Sequence, residues 1–518
     1  MKLIKSLILL FLILLFLKTD FRLENDIYCC SDDYDYYSHA KTIALDFDFD
    51  YQNQFNQYLD ARFYKNDKPA PIGFVGSGLL ASPFVFIGNI FDKLLNVDSF
   101  VNYKILFYSF SSVFYLFTSF YFLIKIKNMI SPKFKNIHLL FLLLGSGISY
   151  YAFERFSMTH VYEVFTITMI SYFTLKPVSK NSIEEKLNIF YITFFMFLGF
   201  NVRWVNYFIL ILPFFLTRYL NIKNKEIYKN KLFYYFSICF LFLTLYINKL
   251  IYGVWTLNPN FVYSSGITDT GINLLFNIPH LIKSFFIILF SQEFGILYFS
   301  PIIFAGFFIS IYETLKGHKK IWNYVGLAIF LQVFSIVILW QSTSSSYGFR
   351  YLNCLIPISI IMFLHFYENI KIKKYKEVIS RTIILFSIFS IFSTLFFETT
   401  IMTQLSLEEQ INSFGKLVRY TEPEYLKGYL LSFLELEAYL KIFVTSFLGM
   451  IFFNLLFYFT SPEKMLNFLN VEFGLNLKNE KVSNLLIDYQ ELNYLYILVV
   501  MLLIIMLFSI LKKLVINN

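Results

Sequence analysis

The sequence runs to 518 residues, 57% of them hydrophobic and only 15% charged, with a mean hydropathy of +0.58. A water-soluble domain of that balance would expose wide apolar patches and aggregate, so a soluble enzyme is excluded. The formal net charge of +9 does not mark a nucleic-acid binder, because the Lys and Arg residues sit in short loops between apolar runs, where the positive-inside rule puts them.

The apolar residues come in long runs rather than in a stripe of 3.6-residue period, which describes helices apolar all round, with lipid as their solvent. In lipid every backbone group must be paired internally, and the runs lack the alternation of a barrel strand, so the fold class is an all-α polytopic integral membrane protein. The four cysteines are too few for a disulfide framework. Cys239 and Cys354 fall inside apolar runs, and Cys29-Cys30 reads as a pair of unlinked thiols in a polar loop.

In chain order, Lys2 and Lys5 precede an apolar stretch over 7–17 that reads as an uncleaved anchor with its N-terminus inside. Residues 18–71 form a polar first extracytoplasmic loop rich in Asp and Tyr. Residues 72–91 are apolar but interrupted by Gly73, Gly76, Gly78 and Pro83. They read as a re-entrant or interfacial helix, because the next span, 100–124, must end with Lys125, Lys127, Lys133 and Lys135 in the cytoplasm. Further spans fall near 137–152, 160–175, 188–202, 204–220, 233–252, 294–312, 323–340, 351–367, 382–397, 441–459 and 494–511, giving about 12–13 transmembrane helices. The loops holding Lys223 to Lys231, Lys316 to Lys320 and Lys371 to Lys376 then all face the cytoplasm, while 273–290 lies along the outer face and 398–440 is a late extracytoplasmic loop. Thirteen crossings leave Lys512 and Lys513 outside, against the charge rule. No repeat of fixed period and no separate soluble unit is visible, so 1–518 is one transmembrane domain.

This topology gathers the outward polar features on one side. Ionisable groups near lipid are costly unless they pair or work, so their convergence points to one site. Asp32 and Asp33 precede a stretch, 36–45, that can be helical; a carboxylate there can serve as general base or hold a divalent ion, or it can simply cap the helix. Asp46, Asp48 and Asp50 make overlapping D-x-D triplets, which read as a solvated loop edge because no nucleotide-binding α/β domain accompanies them. Lys68, Arg203 and Arg350 stand at the interface, where a cation either holds the phosphate of a lipid-tailed ligand or snorkels as an anchor. Glu154, His160 and Tyr351 complete the set, as a second carboxylate, a hydrogen-bond donor and an aromatic neighbour of Arg350.

These motifs, in this order, resemble the GT-C glycosyltransferase superfamily near its protein O-mannosyltransferase and aminoarabinose-transferase branch. The resemblance is carried by Asp32-Asp33-Tyr34-Asp35-Tyr36-Tyr37, by Lys68-Pro69-Ala70-Pro71-Ile72-Gly73 leading to Leu79-Leu80-Ala81-Ser82-Pro83, by Phe294-Gly295-Ile296-Leu297-Tyr298-Phe299-Ser300-Pro301 and by Tyr347-Gly348-Phe349-Arg350-Tyr351. It implies a polyprenyl-phosphate-linked sugar donor and an inverting transfer to a hydroxyl or amine of a lipid, glycan or protein acceptor. It places the activity on the extracytoplasmic side of a bacterial inner membrane. It also implies that the carboxylate pair supplies the base, with Asp33 in its second place, Asp32 orienting the site or a metal and Asp35 also available, and that Lys or Arg holds the leaving phosphate. Asp33 departs from the pattern in being shorter than the common Glu. Two rivals share the spans: a transporter or flippase of a lipid-linked saccharide, which should show broken helices in two symmetric halves, and a cell-surface glycan polymerase or ligase, for which 398–440 offers a late outer loop.

Overall fold

A computed structural model of the chain describes residues 31–55, 64–65, 68–71, 73–95, 103–179, 182–220, 222, 227–257, 278–291, 295–316, 347–396, 433–434, 436–444, 446–472, 486–490, 492 and 494–515. The anchor over 7–17, Cys29-Cys30, the span 323–340 and residues 398–432 of the late loop lie outside these residues.

The described chain is helical. The first helices are α1 (Ser31–Lys41), α2 (Gln52–Phe55), α3 (Val75–Leu94), α4 (Tyr103–Ile130), α5 (Asn136–Leu143), α6 (Ser149–Phe153), α7 (His160–Leu175) and α8 (Ile183–Val202). They are followed by α9 (Leu212–Tyr219), α10 (Lys231–Tyr252), α11 (Ile278–Phe290), α12 (Ile296–Phe299), α13 (Pro301–Leu315), α14 (Ile356–Asn369) and α15 (Lys373–Phe396). The C-terminal part holds α16 (Leu436–Val444), α17 (Phe447–Leu456), α18 (Pro462–Glu472) and α19 (Tyr494–Val515). One two-residue ladder, β1 (Tyr64–Lys65) against β2 (Lys68–Pro69), pairs antiparallel in the first loop.

Among the described residues seven helical stretches are long and apolar enough to cross a membrane: Val75–Leu94, Tyr103–Ile130, Asn136–Phe153, Lys231–Tyr252, Arg350–Asn369, Lys373–Phe396 and Tyr494–Val515. The chain is an integral membrane protein of helical spans. α3, expected to lie at the interface, meets the same length and apolarity. Local chemistry sets several ends: Ser182 caps α8 by accepting from the Glu185 amide at 3.1 Å, Asn230 caps α10, and Gly253 ends α10 in the left-handed region at φ 75°.

Several expectations shift in detail. The spans expected near 204–220, 294–312 and 441–459 are each broken: into a 3-10 turn over Trp204–Leu210 and α9, into α12 and α13, and into α16 and α17. The stretch over 36–45 is not a separate helix preceded by an acidic cap; α1 already runs from Ser31, so Asp33 lies within a helix, and a π turn over Thr42–Asp46 closes the stretch. The span near 137–152 is α5 and α6 joined through a π turn over Leu144–Ile148, where Gly147 at φ 82° breaks the regular pattern.

Close approach at α3 brings the first loop onto the bundle. A Cβ on Gly78 would lie 2.4 Å from the His39 Cβ, and one on Gly76 would lie 2.5 Å from the Asn201 backbone. Only glycine lets α1 and the C-terminal end of α8 seat together on the first turns of α3. That places Asp33 of α1 and Arg203, which follows α8, on one part of the fold. α4 and α7 are tied by Ser111 Oγ and Tyr162 Oη at 2.7 Å, and Ser112 Oγ donates to the Ala152 carbonyl at 2.7 Å. The turn over 154–159 between α6 and α7 is thereby held against α4.

Candidate functional site

The site is built around that turn. Asp33 is fully buried, and Ser157 Oγ–H donates to its Oδ1 in a short hydrogen bond. Arg155 Nη2 stands 3.4 Å from Asp33 Oδ2, with side-chain exposures of 8% and 0% for the pair. Asp32 falls in the first turn of α1, and its side chain is outside the described residues. A buried carboxylate facing a guanidinium is a poor ligand for a divalent ion, because the cation already present repels a second. Among the described residues no group of three or more His, Cys, Asp or Glu side chains is arranged to hold a metal. The metal role considered for Asp33 is thus disfavoured by its guanidinium neighbour, and that considered for Asp32 falls on a side chain outside the described residues.

The turn also meets Arg350, whose Nη1 lies 3.9 Å from Met158 Sδ. Arg350 opens a 3-10 turn over Arg350–Leu355, just after Gly348 at φ 59°. Its guanidinium carbon sits 5.2 Å from the centre of the Tyr351 ring, and its Nη2 reaches Tyr351 Oη at 3.3 Å. Arg203 approaches the same ring at 5.1 Å. Two guanidinium groups thus converge on one aromatic ring, each within cation–π range.

Behind Arg203 lie two residues of the first turn of α7. His160 Nδ1 is 2.9 Å from Glu163 Oε2, and Arg203 Nη1 is 3.5 Å from the same oxygen and 3.3 Å from His160 Nδ1. Both His160 and Glu163 are buried. Tyr151 packs edge-on against His160 at 4.5 Å and donates from its hydroxyl to the Tyr347 carbonyl at 2.7 Å.

Of the sequence-derived candidates, the structure brings His160, Arg203, Arg350 and Tyr351 into direct contact and joins Asp33 to them through the turn over 154–159. Glu154 is buried in that turn, close to Tyr347. Lys68 stands apart: it is exposed, its Nζ lies 3.4 Å from the Leu250 carbonyl near the end of α10, and it contacts none of the arginine group among the described residues. The acidic triplet is exposed and tied to its own loop: Asp46 accepts from Asn53 and Gln54, Asp48 from the Asp50 amide, and Asp50 from the Gln52 amide.

Sequence reasoning missed Glu163, Ser157 and the partner of Arg155. For Glu163 a signal exists, since His160 and Glu163 are spaced i, i+3 in the first turn of an apolar helix and must share a face. For the Ser157–Asp33 contact there is none.

His39 was also missed. Its Nδ1 lies 2.6 Å from Tyr51 Oη and its Nε2 lies 2.9 Å from the Gly73 carbonyl, which also accepts from Tyr252 Oη at 3.0 Å. A carbonyl facing Nε2 requires the proton there, so Nδ1 accepts from Tyr51. The imidazole thus ties α1 to the segment entering α3, and through it to the end of α10. Burial pushes the His39 pKa down from 6.5 to about 4, partly offset by the bond to Gly73. The unfolded chain takes up this proton first, so the stability contributed here is present above pH 6.5 and is lost as pH falls toward 4, at a cost of about 3 kcal/mol. Thermal unfolding in nanodiscs should therefore be less pH-dependent between pH 7 and 4.5 for His39→Gln than for the wild type. Parallel curves for the two proteins would remove His39 as the cause.

No family model matches the sequence, and no curated protein matches it. Among solved structures the chain is similar to the archaeal oligosaccharyltransferase AglB from Archaeoglobus fulgidus, determined in complex with an inhibitory peptide and a dolichol-phosphate. The match has a TM-score of 0.42 at 12% identity and covers 75% of this chain and 54% of that one. The chain thus spans about half the length of that structure, and so loose an overlap carries no chemistry across.

Proposed function

We propose that the protein is a membrane glycosyltransferase that moves a sugar from a polyprenyl-phosphate-linked donor to an acceptor hydroxyl or amine on the extracytoplasmic face. The observation that supports this reading is the meeting of Arg203 and Arg350 on the Tyr351 ring, with the turn over 154–159 linking them to Asp33: Met158 of that turn lies by Arg350 and Ser157 bonds Asp33. A base and a paired cation site are what the reaction needs. The acceptor oxygen attacks the anomeric carbon as the bond to the phosphate oxygen breaks. Asp33 takes the acceptor proton, with the acceptor hydroxyl replacing Ser157 Oγ–H as donor to that carboxylate. Arg203 and Arg350 stabilise the charge gathering on the departing lipid phosphate, while its tail stays in the bilayer. A single displacement of this kind inverts the anomeric centre.

The test is a transfer assay with purified protein in proteoliposomes, a radiolabelled polyprenyl-phosphate sugar and candidate acceptors, guided by mass spectrometry of surface glycans, lipids and proteins from cells lacking the chain. An unchanged glycan, lipid and protein profile would remove the reading. Its sidedness is checked separately in intact cells. A membrane-impermeant maleimide should modify Asp48→Cys, in the exposed first loop, and should leave Lys133→Cys and Lys373→Cys unmodified. Labelling at 133 would invert the topology and put the cation site on the wrong face.

A further inference from the structure

We propose that Glu163 is a positioning residue that holds Arg203 in the orientation required by the donor phosphate. The proposal rests on Arg203 being a phosphate-binding group. Arg203 occupies the extended break between α8 and the 3-10 turn over Trp204–Leu210, with backbone angles of −159° and 135°. A side chain leaving such a break has no helix face to restrain it. Its restraint comes from elsewhere: Glu163 Oε2 engages Nη1 at 3.5 Å, and the Tyr351 ring covers the group at 5.1 Å. The other guanidinium nitrogens, Nη2 and Nε, meet no acceptor among the described residues. Among the described residues one corner of the fork is pinned and the opposite edge meets no acceptor, the arrangement suited to a two-pronged grip on phosphate oxygens.

His160 fixes the carboxylate in turn. A carboxylate facing Nδ1 calls for the proton on that nitrogen, so His160 donates to the same Oε2 that Arg203 approaches. The spacing i, i+3 in the first turn of α7 sets His160 and Glu163 on one face, and burial of both leaves few alternative rotamers. Arginine gives up much of its rotamer freedom when it binds a ligand; a guanidinium already held by Glu163 has lost that freedom beforehand.

The charge of Glu163 acts in the opposite direction to its geometry, which makes the role testable by sign. Glu163 is an anion next to a phosphate site, so by charge alone its removal should tighten phosphate binding. A positioning role requires the reverse. The experiment measures the affinity of full-length protein in nanodiscs for farnesyl monophosphate. Glu163→Gln is expected to weaken binding about tenfold and to add nothing further in an Arg203→Ala background. Glu163→Asp keeps the charge but draws it back by one methylene, and it should weaken binding as well; this variant carries the test if Glu163→Gln does not fold. Tighter or unchanged binding in Glu163→Gln, or an unchanged affinity in Glu163→Asp, overturns the role, as does a full additional loss in the Arg203→Ala background. Failure of the wild type itself to bind farnesyl monophosphate overturns the phosphate reading of Arg203, and the role of Glu163 with it. Wild-type binding that Glu163 does not influence leaves the phosphate reading standing alone.

Discussion

Asp33→Asn is expected to lower the rate of sugar transfer by roughly 10²–10⁴, the usual worth of a positioned base. The substitution is nearly isosteric, and an Asn Oδ1 can still accept from Ser157, so the shape around α1 and the turn over 154–159 should persist. It is not neutral for stability. Asp33 faces Arg155 in a buried pair with side-chain exposures of 0% and 8%, and removing one partner of a buried pair weakens the compensation of the other, at a cost of up to about 3 kcal/mol. Asp33→Asn should therefore unfold at a lower temperature as well as turn over slowly. The double variant Asp33→Asn/Arg155→Gln separates the two effects by removing the other half of the ion pair. It should regain most of the thermal stability and none of the transfer. If transfer returns together with stability, Asp33 is a structural ion-pair partner and the base lies elsewhere. If Asp33→Asn transfers at the wild-type rate while Asp32→Asn is inactive, the assignment is off by one residue.

Arg203→Ala and Arg350→Ala should each weaken binding of the lipid-phosphate donor by about tenfold to a hundredfold, corresponding to the roughly 1.5–3 kcal/mol of a charge-assisted contact. Both groups lie against the one ring of Tyr351, at 5.1 and 5.2 Å, so their effects should couple. The double variant is expected to lose less than the product of the single losses, because removing one guanidinium already frees the ring and the other arginine. Lys68→Ala, at an exposed residue bonded to the Leu250 carbonyl, should change donor affinity far less than either. Equilibrium binding of a radiolabelled polyprenyl-phosphate sugar measures all four. Wild-type affinity in both single arginine variants would make these residues interfacial anchors.

Much of the architecture was legible from apolar runs alone. The run over 160–175 is α7 residue for residue, and the run over 233–252 is α10 less two residues. The misses at element level are mostly breaks within apolar runs: 204–220, 294–312 and 441–459 each divide into two shorter elements. Gly147 introduces a π turn within an otherwise continuous apolar run, and hydropathy carries no information about it. The helix α1 begins among acidic residues of low apolarity, where the amphipathic signal is weak. The candidate site was legible only in part. Arg203, Arg350 and His160 stand out because an ionisable group beside an apolar span is costly. Lys68 satisfies the same rule, yet the fold sends its amine to a backbone carbonyl.

By itself, then, the sequence determined that the chain is helical and membrane-embedded. A polypeptide in lipid must close its hydrogen bonds within each segment, and a run of about 20 apolar residues can do so only as a helix. Partner choice among the polar groups was decided by the tertiary structure. The bond between Ser157 and Asp33 joins residues 124 positions apart, and Arg203 meets Glu163 across 40. Such pairings depend on which helices lie side by side and at what height. Here, glycines at 76 and 78 allow α1 and the end of α8 to seat on α3, and packing between backbones of that kind leaves no periodic trace in the order of residues.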